Sequence, residues 1–279
     1  MFLPALVAGA AAPQRMAHVG DTYEISTERD SSQQSSDGSS SGSSHDRDVL
    51  VERVVAVDEA GLELEYDLPK TATAQERASA WQFPVRVLAP IRGPLQLLNG
   101  AELEARVNGW LKAGHMTRAA CGHWIFTWNA FRIECDPASV LKALAIIDLR
   151  SEDMRDGASY QDPAARAAAP LTLKTAGPGG ATFAVAMTVD PAQVYRARAQ
   201  SDIVVAEILR KNLTLEAALS ARSAEHVSGT INITFETDST GHVWRRTRVT
   251  RLETGQPGKL ETETTTETVT RRPISSSNL

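Results

Sequence analysis

The last third of the chain alternates apolar and polar residues in three consecutive runs. That alternation constrains the fold more than any other feature. "GTINITFET" puts Ile231, Ile233 and Phe235 on one face, and "HVWRRTRVTRLE" and "KLETETTTETVTRR" follow it. A period of two is that of a strand with one buried face. Residues 238–241 supply a turn after the first run and "TGQPG" supplies one after the second. The region therefore predicts a three-stranded antiparallel meander, with strands of about nine to twelve residues. Its last two strands carry opposite charges. Arg245, Arg246, Arg248 and Arg251 lie on one, and Glu261, Glu263 and Glu267 lie on the other. A hairpin centred near Gln256 sets Arg251 against Glu261 and Arg245 against Glu267, a self-neutralising ladder. The alternative is that the four arginines bind an anion such as a phosphate or a lipid headgroup.

Upstream, residues 19–30, 49–69, 81–88 and 182–189 also read as strands, with a turn at residues 58–61 splitting the second segment in two. Pro84 favours an edge or bulge position because it lacks an N–H. Helices are expected from Asn99 to Ala113, from Asp136-Pro137 onward, from Asp190-Pro191 to about Asn212, and from Thr214 to about Glu225. Asn99 with Glu102 suggests a capping box, and Asp before Pro is a good helix start. Leu103, Val107, Trp110 and Leu111 form one apolar stripe, and Val140, Leu141, Leu144 and Ile147 another. Residues 31–48, "SSQQSSDGSSSGSSHDRD", have no apolar residue, so they read as a flexible loop. The fold class that follows is α+β: a largely antiparallel, curved sheet of about eight to ten strands with helices packed on one face. Residues 17–150 and 171–272 form two parts, divided at a polar connector over residues 151–170, or together complete one domain.

"CGHWIFTWNAFRIEC" holds both cysteines, Cys121 and Cys135. Three chemistries compete for it. His115, Cys121, His123 and Cys135 could bind zinc, although Cys-x-His is tighter than the usual ligand pair. A catalytic thiol would need a base and an orienting group, and none is marked locally. A disulfide requires the two residues to face each other. The midpoint between them is Trp128, so a hairpin with an odd-numbered loop puts Cys121 opposite Cys135, at a spacing a disulfide tolerates. A two-residue turn at Asn129-Ala130 would instead pair Trp124 with Cys135. A pair of reduced, buried thiols is the remaining alternative. Trp124, Phe126 and Trp128 share one face of the hairpin and Phe131 follows on the return, forming core or an apolar ligand pocket.

Forty-two per cent of the residues are hydrophobic, in keeping with a globular protein. A net charge of −5 lacks the basic surplus that phosphate neutralisation requires, so nucleic acid is not an expected partner. No apolar run is long enough to span a bilayer. Residues 1–12 read as a signal peptide: apolar from Phe2, with Ala8-Gly9-Ala10 as the cleavage site. The basic residues that usually precede the apolar run are missing, and an Ala-rich tail is the alternative. Export and a lone pair of cysteines agree, because disulfides persist in oxidising compartments. The segments "CGHWIFTWNAFRIECDP" and "GTINITFETDSTGHVWRRTRVT" resemble exported proteins of Gram-negative bacteria that have no assigned activity. In outline the pattern is also similar to periplasmic lipid and lipoprotein carriers. The resemblance carries no activity over; the export signal and the lack of a catalytic constellation predict a periplasmic or secreted protein without a cofactor. Its expected role is non-enzymatic: binding an apolar or amphiphilic ligand, or an envelope protein. A hydrolase with a dispersed active site and an assembly module using its long C-terminal strands as edges are the other readings.

Overall fold

The structure is a computed structural model that describes residues 17–126, 130–150, 153–256 and 258–274. β1 (Thr22–Ser35) and β2 (Ser41–Asp58) form a long hairpin, and β3 (Gly61–Asp67) returns against β2. A short helix, α1 (Ala74–Ser79), leads to β4 (Val85–Pro90) and β5 (Gln96–Leu97). Next come α2 (Gly100–Ala113), the small hairpin β6 (Trp124–Phe126) and β7 (Ala130–Arg132), and α3 (Ser139–Ile147). Two short strands, β8 (Ser159–Tyr160) and β9 (Ala169–Pro170), pair with each other. β10 (Thr172–Gly177) and β11 (Gly180–Thr188) precede α4 (Pro191–Ile208) and α5 (Leu215–Arg222). The meander β12 (His226–Thr237), β13 (Val243–Gln256) and β14 (Lys259–Pro273) ends the fold.

Ten strands form one open sheet in the order β10-β11-β12-β13-β14-β1-β2-β3-β4-β5. Every neighbouring pair is antiparallel. The fold is thus α+β, as the alternation required, and both halves of the chain contribute to a single sheet. The meander lies in its middle: β14 pairs with β1 and β12 with β11, so the long C-terminal strands are not edges.

Side chains on one face of the sheet are buried. Ile25, Val54, Leu64, Val85 and Val87 make one apolar patch, and Phe183, Val185, Ile231, Ile233 and Phe235 make another. Leu103, Val107 and Leu111 of α2, with Val140 and Leu144 of α3, join the same cluster. Between the patches the central strands carry buried polar groups. Glu52, 2% exposed, accepts from Tyr66 Oη at 2.7 Å and from Arg271 Nε and Nη2 at 3.0 and 2.7 Å. Arg271 also lies 3.3 Å from the centre of the Tyr23 ring. Burial, and then the Glu52 charge, push the Tyr66 hydroxyl pKa well up, so the hydroxyl stays a donor. This cluster ties β2 and β3 to β14 across β1.

Several expectations need correction. Residues 31–48 are not a loop. They continue β1 and β2 in unbroken register around a turn at residues 36–39. Gly38 adopts φ +70° there, and Asp37 Oδ1 accepts from Ser39 N and Ser35 Oγ. Hydrogen bonds from Ser39 and then Ser35 hold the Asp37 carboxyl well below the usual carboxylate range. What supports these strands is not apolar burial but the ladder itself, since β1 is bonded to β14 on one side and β2 on the other. The strand expected from Trp81 starts only at Val85, after a cis Phe83-Pro84 bond. Asn99 precedes α2 but forms no capping box. Its Oδ1 accepts from Arg86 N at 2.9 Å and its Nδ2 donates to Pro84 O and Glu102, which ties the helix start to β4. Asp136 caps a turn through Ala138 N at 2.9 Å, and α3 begins at Ser139. Asp190 does cap α4, through Ala192 N at 3.0 Å, and Thr214 caps α5.

Candidate functional site

Cys121 and Cys135 are joined, with Cα atoms 5.6 Å apart. The register is the odd one: Trp124 pairs with Arg132, Ile125 with Phe131 and Phe126 with Ala130, centred on position 128. Ile133 N donates to His123 O at 2.9 Å and Gly122 N to Ile133 O at 2.8 Å, which carries the pairing back to the cysteines. The thiols are spent in this bridge, so the zinc set with His115 and His123 has no thiolate. His123 Nδ1 instead contacts Glu207 of α4 at 3.2 Å. On the other side, Arg118 binds Asn108 and Glu104 of α2 and the Cys135 carbonyl. The hairpin is a clasp between α2 and α4. Trp124 is half-buried. The side chains of Phe126 and Phe131, and the whole of Trp128, lie outside the described residues. The aromatic core that is described is formed by Tyr66, Trp81, Phe183 and Phe235, with Tyr160 edge-on to Phe235 at 5.2 Å.

The four candidate anion-binding arginines do not converge. Arg248 donates to Asp162 at 2.8 and 3.2 Å and to Glu267 at 2.9 Å. Burial opposes its charge, but the Asp162 and Glu267 carboxylates outweigh that and raise its pKa. Arg246 donates to the Ile146 carbonyl, and Arg245 to Glu236 at 3.2 Å. The β13–β14 register is offset from the one expected: Arg251 pairs with Thr264, Arg245 with Thr270, and Glu267 with Arg248. Gln256 pairs with Lys259 and Gly258 has φ +88°, so the reversal falls beyond Gln256. A three-residue offset changes the face. Glu261, Glu263 and Glu267 share the helix-covered face with Arg246 and Arg248. Arg245 and Arg251 share the opposite face with the Thr262, Thr264, Thr266, Thr268 and Thr270 row.

That opposite face is polar. At its β1–β2 end a shallow depression, open to solvent, is lined by Asp30, Ser32, Ser43, His45, Thr264 and Thr266. His45 Nδ1 bonds Asp30 Oδ1 at 2.7 Å across the strands, which raises the imidazole pKa above its ordinary value. No hydroxyl among the described residues is hydrogen-bonded to its Nε2. Both partners are more than half exposed, so the low-dielectric setting that strengthens such a pair is missing. A second open depression lies beside the end of α4, near Ile203 and Leu213. No group of three or more His, Cys, Asp or Glu among the described residues is placed to hold a metal.

Sequence reading missed the other feature of this end. β3 covers β2 only from Val51 onward. Residues 41–50 pair with β1 alone, and residues 41–48 are exposed. Val54 N donates to Asp21 O, and Ser40 O accepts from Ser35 N, so even-numbered residues of β2 bond toward β1. Alternate residues point their amides to opposite edges. The N–H and C=O groups of Ser41, Ser43, His45, Arg47 and Val49 therefore face outward, without a partner among the described residues.

No family model matches the chain, and no curated protein matches it. No helix among the described residues is long and apolar enough to cross a membrane.

Proposed function

We propose that this is an exported, periplasmic or secreted protein without enzymatic activity, which binds a partner protein at the polar end of its sheet. The observation that carries the reading is the extension of β1 and β2 beyond the core. Residues 41–48 are all exposed, yet they are held in continuous ladder pairing. Order without burial has no role in stabilising a core, and it leaves a surface built to be met. The disulfide supports an oxidising compartment. The depressions at the surface are open rather than enclosed, which favours a protein partner over an apolar small molecule.

Crosslinking in the source cells tests the reading. A photoreactive side chain is placed at Ser43 or Thr268 on the sheet, or at the exposed Ala105 of α2. Discrete protein adducts at the sheet positions and none at Ala105 are expected. Equal labelling at all positions, or none at any, overturns it. Intact mass with and without reductant reports the compartment: a chain beginning at Ala11 with an intact bridge is expected.

A further inference from the structure

We infer that the free edge of β2 takes an added strand, and that the strand it fits carries carboxylates on one face and a basic side chain on the other. The inference rests on the partner-binding reading and deepens it. The outward-facing amides of Ser41 to Val49 supply the backbone half of recognition, as in any strand addition. The side chains supply the rest, because the charges are sorted by face. His45 and Arg47 project from the polar face, and Asp46 and Asp48 from the other. Charged residues blunt an edge against unspecific pairing. Sorted by sign, they also select.

β1 shows the pattern that fits this edge. On the occupied edge of β2, Glu28 lies opposite Arg47, Asp30 opposite His45 and Arg29 opposite Asp46. The first two pairs close to 3.7 and 2.7 Å. An acid–base–acid strand of the β1 type is therefore the occupant that the open edge selects. β1 itself cannot serve in trans, since both of its edges are filled by β14 and β2. A second copy of β2 fits poorly. Antiparallel copies that keep one continuous face put residues of equal parity opposite each other. Centred on Asp46 or Arg47, that sets Asp46 against Asp46, or Arg47 against Arg47 with Asp46 against Asp48, and like charges directly opposite are unfavourable. Centred on His45 or Ser44, it sets Asp46 and Arg47 against Ser or Gly, with no opposite charge to select the pairing.

The test uses the full chain and a dye-labelled peptide of residues 24–34, capped at both ends, followed by fluorescence anisotropy and amide exchange. Saturable binding is expected, with exchange slowed at Ser43, His45 and Arg47. In the same register Glu28 and Asp30 of the peptide point their amides at the open edge. N-methylation at those two residues abolishes binding, whereas N-methylation at Thr27 and Ser31 leaves it. A peptide with Glu28→Arg and Asp30→Arg binds at least about tenfold more weakly. Binding that survives N-methylation at Glu28 and Asp30 overturns the inference. So does failure to bind at millimolar peptide, or a dimer of the chain through this edge in sedimentation. The failures are separable. Peptide binding without crosslinks in cells sinks the partner-binding reading alone. Crosslinks at Ser43 with an N-methyl-insensitive peptide sink only the strand addition.

Discussion

Removing one member of the Glu52–Arg271–Tyr66 cluster tests whether the central strands are held by charge as well as by apolar packing. Glu52 keeps 3% of its side chain exposed and Arg271 keeps 17%. Arg271→Met leaves a buried carboxylate with the Tyr66 hydroxyl as its remaining donor. Breaking a buried pair in this way costs about 3–5 kcal/mol. Glu52→Gln keeps an oxygen for Arg271 but removes the counter-charge. Water reaches part of the guanidinium, so its cost is smaller, about 2 kcal/mol. If the two act through each other, the double variant loses less than the sum, by a coupling of about 2–3 kcal/mol. Urea unfolding followed by tryptophan fluorescence measures all four proteins, with stability taken at constant m-value. Additive losses would refute the reasoning, as would a Glu52→Gln cost equal to or above that of Arg271→Met. Additive losses mean that the apolar patches and the β1 ladder carry the join between β2 and β14 without the pair.

The remaining predictions concern the clasp and two titrating groups. Cys121→Ser with Cys135→Ser opens a short loop and lowers stability by about 3 kcal/mol in the chain-entropy model; an unchanged urea midpoint contradicts the clasp. The hydrogen bond and then the charge of Asp30 raise the His45 pKa above its ordinary value of about 6.5 in the folded protein, and Asp30→Asn lowers it toward that value. Because the folded pKa is raised, the pair's contribution is complete below about pH 6.5 and is lost as pH rises through the folded value. Ring proton shifts in NMR check this, and an Asp30→Asn titration identical to the parent's rejects it. Hydrogen bonds from Arg222 depress the Asp202 carboxyl, with Nε and Nη2 both at 2.7 Å. Its contribution is present above about pH 3.9 and fades as pH falls through the lower folded value. Asp202→Asn therefore costs roughly 1 kcal/mol at neutral pH and progressively less in acid. A gap that stays constant from neutral pH to about pH 2, below the unfolded range, argues against the pair.

The elements that bury an apolar stripe were legible in the sequence. The meander, β11, α2 and the strands on either side of residues 58–61 all follow from periodicity. The disulfide register was legible too, because two fixed cysteines and the requirement to face each other leave only an odd loop about Trp128. What composition hid was the polar hairpin. Counting apolar residues finds nothing in residues 31–48, yet the pairing was written in the charges. Glu28, Arg29 and Asp30 mirror Arg47, Asp46 and His45 about the Asp37-Gly38 turn, and Asp-Gly is a strong hairpin signal. The strand that completes the ladder, β14, lies at the far end of the chain, so no local window could contain both. The same distance hid the inner polar groups: Glu52 and Arg271 meet only once β1 lies between β2 and β14. The β13–β14 register depended on a turn position that alternation alone does not fix. A period of two is satisfied by any even offset and reversed by any odd one.

Amide exchange along β2 in the protein alone bears most directly on the central claim, that the sheet extends past its core with one edge open. Alternation is predicted: the amides of Ser44, Asp46 and Asp48 are protected by β1, while those of Ser43, His45 and Arg47 exchange freely. Fast exchange at every residue from 31 to 48 would contradict the account by restoring the loop that the composition suggests. Protection at every residue of β2 would contradict it equally, because the edge would then already be covered.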